Sequence, residues 1–74
     1  MKEPKNEAMK LVELLRKKEK ISKSEMARML SSRTRYYEHM EADDIKLGIL
    51  KSYMNRLGYD LIARNRETGF EKKL

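Results

Sequence analysis

The residues best equipped for chemistry in this 74-residue sequence lie in the stretch RTRYYEHM, positions 33–40. Arg33 and Arg35 stand two apart with no acid flanking them. A guanidinium presents a planar fork of N–H donors, which matches O6 and N7 of guanine or two oxygens of a phosphate. Elsewhere the chain offers little for catalysis. It has one His (His39), no Cys, no Gly-rich phosphate loop and no evident pair of carboxylates. A lone His without a second ligand does not make a metal site. Glu41 reads as a residue that pairs with a base or caps a backbone group, not as a catalytic acid. The expectation is a binding protein with no enzymatic activity, no cofactor and no metal.

Charge points to the kind of partner. Lys and Arg number 18 against 12 acids, a formal net charge of +6. That excess on so small a chain suits a polyanion, nucleic acid first, although solubility alone accounts for similar charges elsewhere. The absence of Cys fits a reducing compartment. No run approaches the ~18 apolar residues of a membrane span, and the opening MKEPKNE lacks the apolar core of a signal peptide. A soluble, cytoplasmic protein without membrane contact is expected.

The elements that must position these residues are helical. Pro4 is the sole proline, and Gly48 is the first glycine, so breakers are nearly absent between 5 and 57. Met9, Leu11, Val12, Leu14 and Leu15 recur at helical spacing and predict a first helix from Asn6 to Glu19, with Arg16, Lys17, Lys18 and Lys20 as its solvated end. Ser22 and Glu25 form the S-x-x-E spacing of a capping box, with Ile21 and Met26 placed as a hydrophobic staple. They open a second helix over 22–31, buried through Met26, Ala27, Met29 and Leu30. Ser31 or Ser32 then caps a third helix, 33–41. Its apolar positions are sparse: Tyr37 and Met40, with Tyr36 beside them. Arg33, Arg35, Glu38 and His39 take the other face. So polar a helix is a poor core element and belongs on the surface. Asp43 or Asp44 caps a fourth helix, 45–57, whose Gly48 suggests close packing and which Gly58 ends. Beyond it, Tyr59 to Arg64 alternates with a period of two and reads as a strand. A lone strand needs a partner. A hairpin through Glu67-Thr68-Gly69, with Phe70 and Leu74 on the return, supplies one. The same strand of a second subunit supplies another.

Two short helices about a tight turn, the first with a small Ala27 at the crossing and the second polar and basic, have the form of a helix-turn-helix. Here the sequence resembles the Cro and phage-repressor family, often called XRE-like. Ile21, Ser22, Met26 and Ala27 take that family's positions, as do Tyr37 at the Val/Ile place, Glu41, Leu50, Tyr53 and the pair Leu57-Gly58. Lys23 stands for the usual Gln, Ser31 for the turn Gly and Ser32 for a small apolar residue. The likeness spans about residues 9–61.

That resemblance implies an all-α architecture: a compact four-helix helix-turn-helix domain over 6–58, a flexible N-terminus over 1–5, and a short C-terminal strand or hairpin over 59–74. It also implies a mechanism. The third helix would lie in the major groove, with Arg33, Thr34, Arg35, Tyr36 and His39 facing base edges. Lys23, Ser32 and Lys46 would hold phosphates. The residues themselves leave alternatives open: Tyr36 as simple packing, His39 as an exposed side chain, Tyr37 as a core residue with its hydroxyl at the rim. The six Met residues read as core filler.

A single recognition helix covers few base pairs, so a homodimer on a palindromic duplex is expected, with Tyr59, Leu61 and Ile62 as its contacts. The expected function is a sequence-specific double-stranded-DNA regulator, either a repressor or an antitoxin with a toxin as a further partner. The alternative is a small helical protein–protein interaction module. Salt dependence separates the two.

Overall fold

A computed structural model describes residues 3–29 and 33–74. Among them the chain forms α1 (Glu7–Lys18), α2 (Lys23–Met29), α3 (Arg33–Glu41), α4 (Leu47–Leu57), β1 (Ile62–Arg64) and β2 (Glu71–Lys73). The chain is therefore mostly helical, with one antiparallel hairpin at its C-terminal end. No described helix is long and apolar enough to cross a membrane.

Local chemistry sets most of the helix ends. Asn6 caps α1, its Oδ1 accepting from Met9 N–H at 2.7 Å. Its other end closes with Lys20 in the left-handed region (φ 59), Ile21 N–H on Arg16 O and Lys20 N–H on Lys17 O. That is the pattern glycine usually serves. The Ser22 hydroxyl accepts from Glu25 N–H at 3.1 Å, as the capping-box spacing predicts. Gly58 ends α4 at φ 85, with Tyr59 N–H on Met54 O and Gly58 N–H on Asn55 O.

α4 begins two residues later than expected. Asp44 Oδ1 accepts from Ile45 N–H at 2.8 Å, Asp44 and Ile45 stay outside the helix, and Lys46 becomes the N-cap without a side-chain bond. Gly48 is not a packing glycine: a Cβ there would meet nothing within 4 Å. The end of the second helix, expected at Ser31, and the capping role of Ser31 or Ser32 lie outside the described residues.

The core draws on all four helices: Met9 and Val12 from α1, Met26 and Ala27 from α2, Tyr36 and Met40 from α3, and Tyr53, Met54 and Leu57 from α4. Residues 4 and 5 are tied down rather than free. Pro4 is buried, and Lys5 N–H donates to Met40 O at 3.0 Å.

On α1 the buried row is Met9, Val12, Glu13 and Arg16, an i, i+3, i+4, i+7 set. Leu11 and Leu14, expected on the apolar stripe, are exposed instead. Arg16, expected at a solvated end, is buried. Its Nε donates to Glu13 Oε2, and its Nη1 donates to Ile21 O at 2.6 Å. One buried guanidinium therefore ties α1 to the turn that starts α2.

The alternation from Tyr59 to Arg64 yields a shorter strand. Tyr59 and Leu61 pack against the core, and the Tyr59 hydroxyl donates to Glu19 Oε2 at 2.7 Å; the strand itself starts only at Ile62. The hairpin turn falls where expected. Asn65 Oδ1 accepts from Glu67 and Thr68 N–H, and Gly69 takes φ 78.

Candidate nucleic-acid interface

α3 faces the protein through Tyr36 and Met40, which are i and i+4, with His39 half-buried between them and solvent. Its outward side carries Thr34, Arg35, Tyr37 and Glu38, all exposed. The helix is anchored at several points. The Tyr36 ring meets Tyr53 edge-on at 5.8 Å and Tyr37 at 6.0 Å. His39 stands at 87° to Tyr53, with Nδ1 2.7 Å from its hydroxyl. The Asn6 amide donates to His39 O at 3.0 Å and Ala42 O at 2.9 Å, satisfying carbonyls at the end of α3 that have no partner inside the helix. A nine-residue helix of low intrinsic stability is thus fixed along its inner face and at its C-terminal end.

The expected site residues divide. Thr34 and Arg35 lie on the exposed side of α3, and Lys46 is exposed at the start of α4. The side chain of Arg33, and Ser32 as a whole, lie outside the described residues. Tyr36 must be removed from the base-contact set because it is fully buried. Its hydroxyl lies beside the Glu13 carboxylate without a well-formed hydrogen bond; burial, then that negative charge and a weak hydrogen bond to the carboxylate, push its pKa up.

Tyr37, expected in the core, is the tyrosine that faces out, 44% exposed. The two tyrosines are neighbours in a helix whose one firm apolar position is Met40. Spacings of three and four both satisfy helical packing, and the structure takes four.

His39 is half committed to Tyr53. Its pKa is lowered, first by burial and then by the Arg35 charge, with Glu38 opposing. At neutral pH the imidazole is therefore uncharged and adds no cation to this face.

Lys23 is not offered to a phosphate. Its side chain is 18% exposed and Nζ lies 3.7 Å from Oε1 of Glu13, whose Oε2 accepts from Arg16. Tyr59 and Leu61 pack on their own core, whereas Ile62 is exposed.

Two features escaped the sequence reading. A cleft of about 180 Å³ between α3 and α4 is lined by Arg35, His39, Ile49 and Ser52. A second, open cleft is lined by Ser22, Glu25, Arg28 and Arg56. Ile49, Ser52 and Arg56 form one row along α4 at spacings of three and four, so both clefts lie along one face of α4. The row joins Arg35 of α3 to Arg28 of α2. Only the positions of 49, 52 and 56 on a shared helical face could have signalled this. Among the described residues no group of three or more His, Cys, Asp or Glu side chains is placed to hold a metal ion.

No protein-family model, no curated protein and no solved structure matches the chain.

Proposed function

We propose that the protein binds double-stranded DNA as a transcriptional regulator, with α2 and α3 acting as a helix-turn-helix and α3 entering the major groove. The observation that carries this reading is the state of α3. It is short and polar, clamped from inside by Tyr36, Met40 and the Asn6 amide, yet turns Thr34, Arg35, Tyr37 and Glu38 to solvent. A rigid helix with an unburied face of donors and acceptors is what base-edge reading requires. Arg35 suits guanine, Thr34 a thymine methyl or a phosphate, and Glu38 the amino group of cytosine. Lys46, Arg28 and Arg56 supply exposed cations for the backbone. The net charge of +6 agrees with such a partner. Repressor and antitoxin roles both fit this reading, and either works as a dimer on a two-fold site.

The test is a duplex selected from a random pool at low salt, then titrated by fluorescence anisotropy. The double substitution Arg33→Ala with Arg35→Ala should weaken binding at least tenfold, since one bidentate arginine–guanine contact is worth roughly 1–3 kcal/mol. Helical circular dichroism should stay unchanged. Unaltered affinity would remove α3 from the interface. Failure to select any duplex would favour an interaction module, a reading to which the exposed Leu11 and Leu14 on α1 lend support.

A further inference from the structure

The hairpin stands apart from the helical body. Every residue from Ile62 to Leu74 is exposed, although Phe70 and Leu74 are apolar, at 68% and 45% exposure. Two strands alone are marginal in water, and both outer edges of this pair are open.

The register fixes what each edge and face presents. Ile62 pairs with Lys73, Ala63 with Lys72 and Arg64 with Glu71, and Leu74 N–H donates to Leu61 O at 2.8 Å while Asn65 N–H donates to Phe70 O at 2.8 Å. In an antiparallel ladder, hydrogen-bonded pairs alternate with pairs whose backbone groups point outward. The bonded pairs are 61–74, 63–72 and 65–70. Glu71 and Lys73 therefore turn their N–H and C=O to the free edge of β2. Leu61, Phe70 and Leu74 share one face of the hairpin, with Ala63 and Lys72; Glu71 and Lys73 share the other.

We propose that the free edge of β2 pairs with β2 of a second copy of this chain, antiparallel about a two-fold axis at Lys72, to make a four-stranded sheet. In that register Glu71 faces the partner's Lys73 and Lys73 faces the partner's Glu71. The outward backbone groups of each close on the other, and the charges are opposite in both pairs. On the other face, Phe70 lies across from the partner's Leu74. With Leu61 this makes an apolar row of Leu61, Leu74 and the partner's Phe70, repeated by symmetry. Phe70 and Leu74, two of the hairpin's three exposed large apolar side chains, thus cover each other, while Ile62 stays on the opposite face.

The opposing feature is Lys72 against its own symmetry mate, which its long stem can relieve by splaying outward. Pairing through the edge of β1, centred on Ala63, would set Ile62 against the partner's Arg64 and has no such charge match. Lys73 now touches Asp60 at 3.2 Å, an exposed pair that is readily exchanged. The inference deepens the dimer named above, and sedimentation without DNA tests it apart from duplex binding.

Sedimentation equilibrium of the full chain decides it. The wild type should move from one chain mass to two as concentration rises; a contact this small lies below the roughly 1,000 Å² of stable interfaces, so dilution should reverse it. Glu71→Lys alone sets like charges in both cross-pairs and should be monomeric, as should Lys73→Glu alone. Mixed in equal amounts, the two variants restore both opposite-charge pairs and should form a mixed dimer. Misfolding of a hairpin cannot produce that recovery. A monomeric wild type at every concentration overturns the proposal. So do single variants that remain dimeric, a mixture that stays monomeric, or hairpin amides that shift only on adding a duplex, which would instead make the hairpin a nucleic-acid contact.

Discussion

The Tyr36 hydroxyl is fully buried beside the Glu13 carboxylate and makes no well-formed hydrogen bond, only a weak one to that carboxylate. A buried hydroxyl without a partner costs about 1–3 kcal/mol of desolvation, and the ring beneath it keeps its contacts if the oxygen is removed. Tyr36→Phe should therefore leave stability unchanged or raise it by about 1 kcal/mol, read as the urea midpoint. Duplex affinity should not change. A loss of stability would show that the hydroxyl has a partner after all, and a loss of binding alone would return Tyr36 to the outward face.

The same residue shows where sequence reading stops. The helix 33–41 and its polarity were legible from composition. Its rotation was not, because Tyr36 and Tyr37 are both tyrosines and lie four and three residues from Met40. A rotation of one residue, about 100°, exchanges which of them is core and draws His39 towards Tyr53.

Asn6 couples two elements that are distant in sequence. Its Oδ1 caps the start of α1, while its Nδ2 holds the carbonyls of His39 and Ala42 at the end of α3. As an N-cap Asp is as good as Asn, so a helix-capping role alone predicts that Asn6→Asp is silent. The structure predicts otherwise. The substitution removes the donor and sets a carboxylate against the negative end of α3's dipole. Asn6→Asp should cost about 1–3 kcal/mol in thermal or urea unfolding and be no better than Asn6→Ala. Equal stability of Asp and Asn would mean that the link to α3 does not matter.

Element starts and stops were largely readable from Ser22, Gly58 and the Glu67-Thr68-Gly69 turn, since each acts within a few residues. The links between elements were not. Glu13 and Arg16 look like solvated charges until the row 9, 12, 13, 16 is recognised as the buried face of α1. Lys23 looks like a phosphate ligand until α1 brings Glu13 within 3.7 Å. A pattern that counts only apolar side chains misses a buried ion network, because burial there depends on pairing rather than on hydrophobicity.

Across the whole molecule the exposed cations fall into two settings. Arg35 is presented by the helix proposed to read bases, whereas Arg28 and Arg56 border an open cleft between α2 and α4 and have no base-reading helix beneath them. Cations that only neutralise phosphates release counterions, and each contributes about −0.9 to the slope of log affinity against log salt. If both clefts lie along the DNA, Arg28→Ala with Arg56→Ala should weaken every duplex alike and flatten that slope by up to about 2. Arg35→Ala should instead narrow the gap between preferred and random duplexes. The two outcomes are read from the same anisotropy titrations, repeated at several salt concentrations with a selected and a scrambled duplex. A slope untouched by the Arg28 and Arg56 changes would turn that cleft away from the DNA. The backbone contacts would then fall to Lys46 and the start of α4.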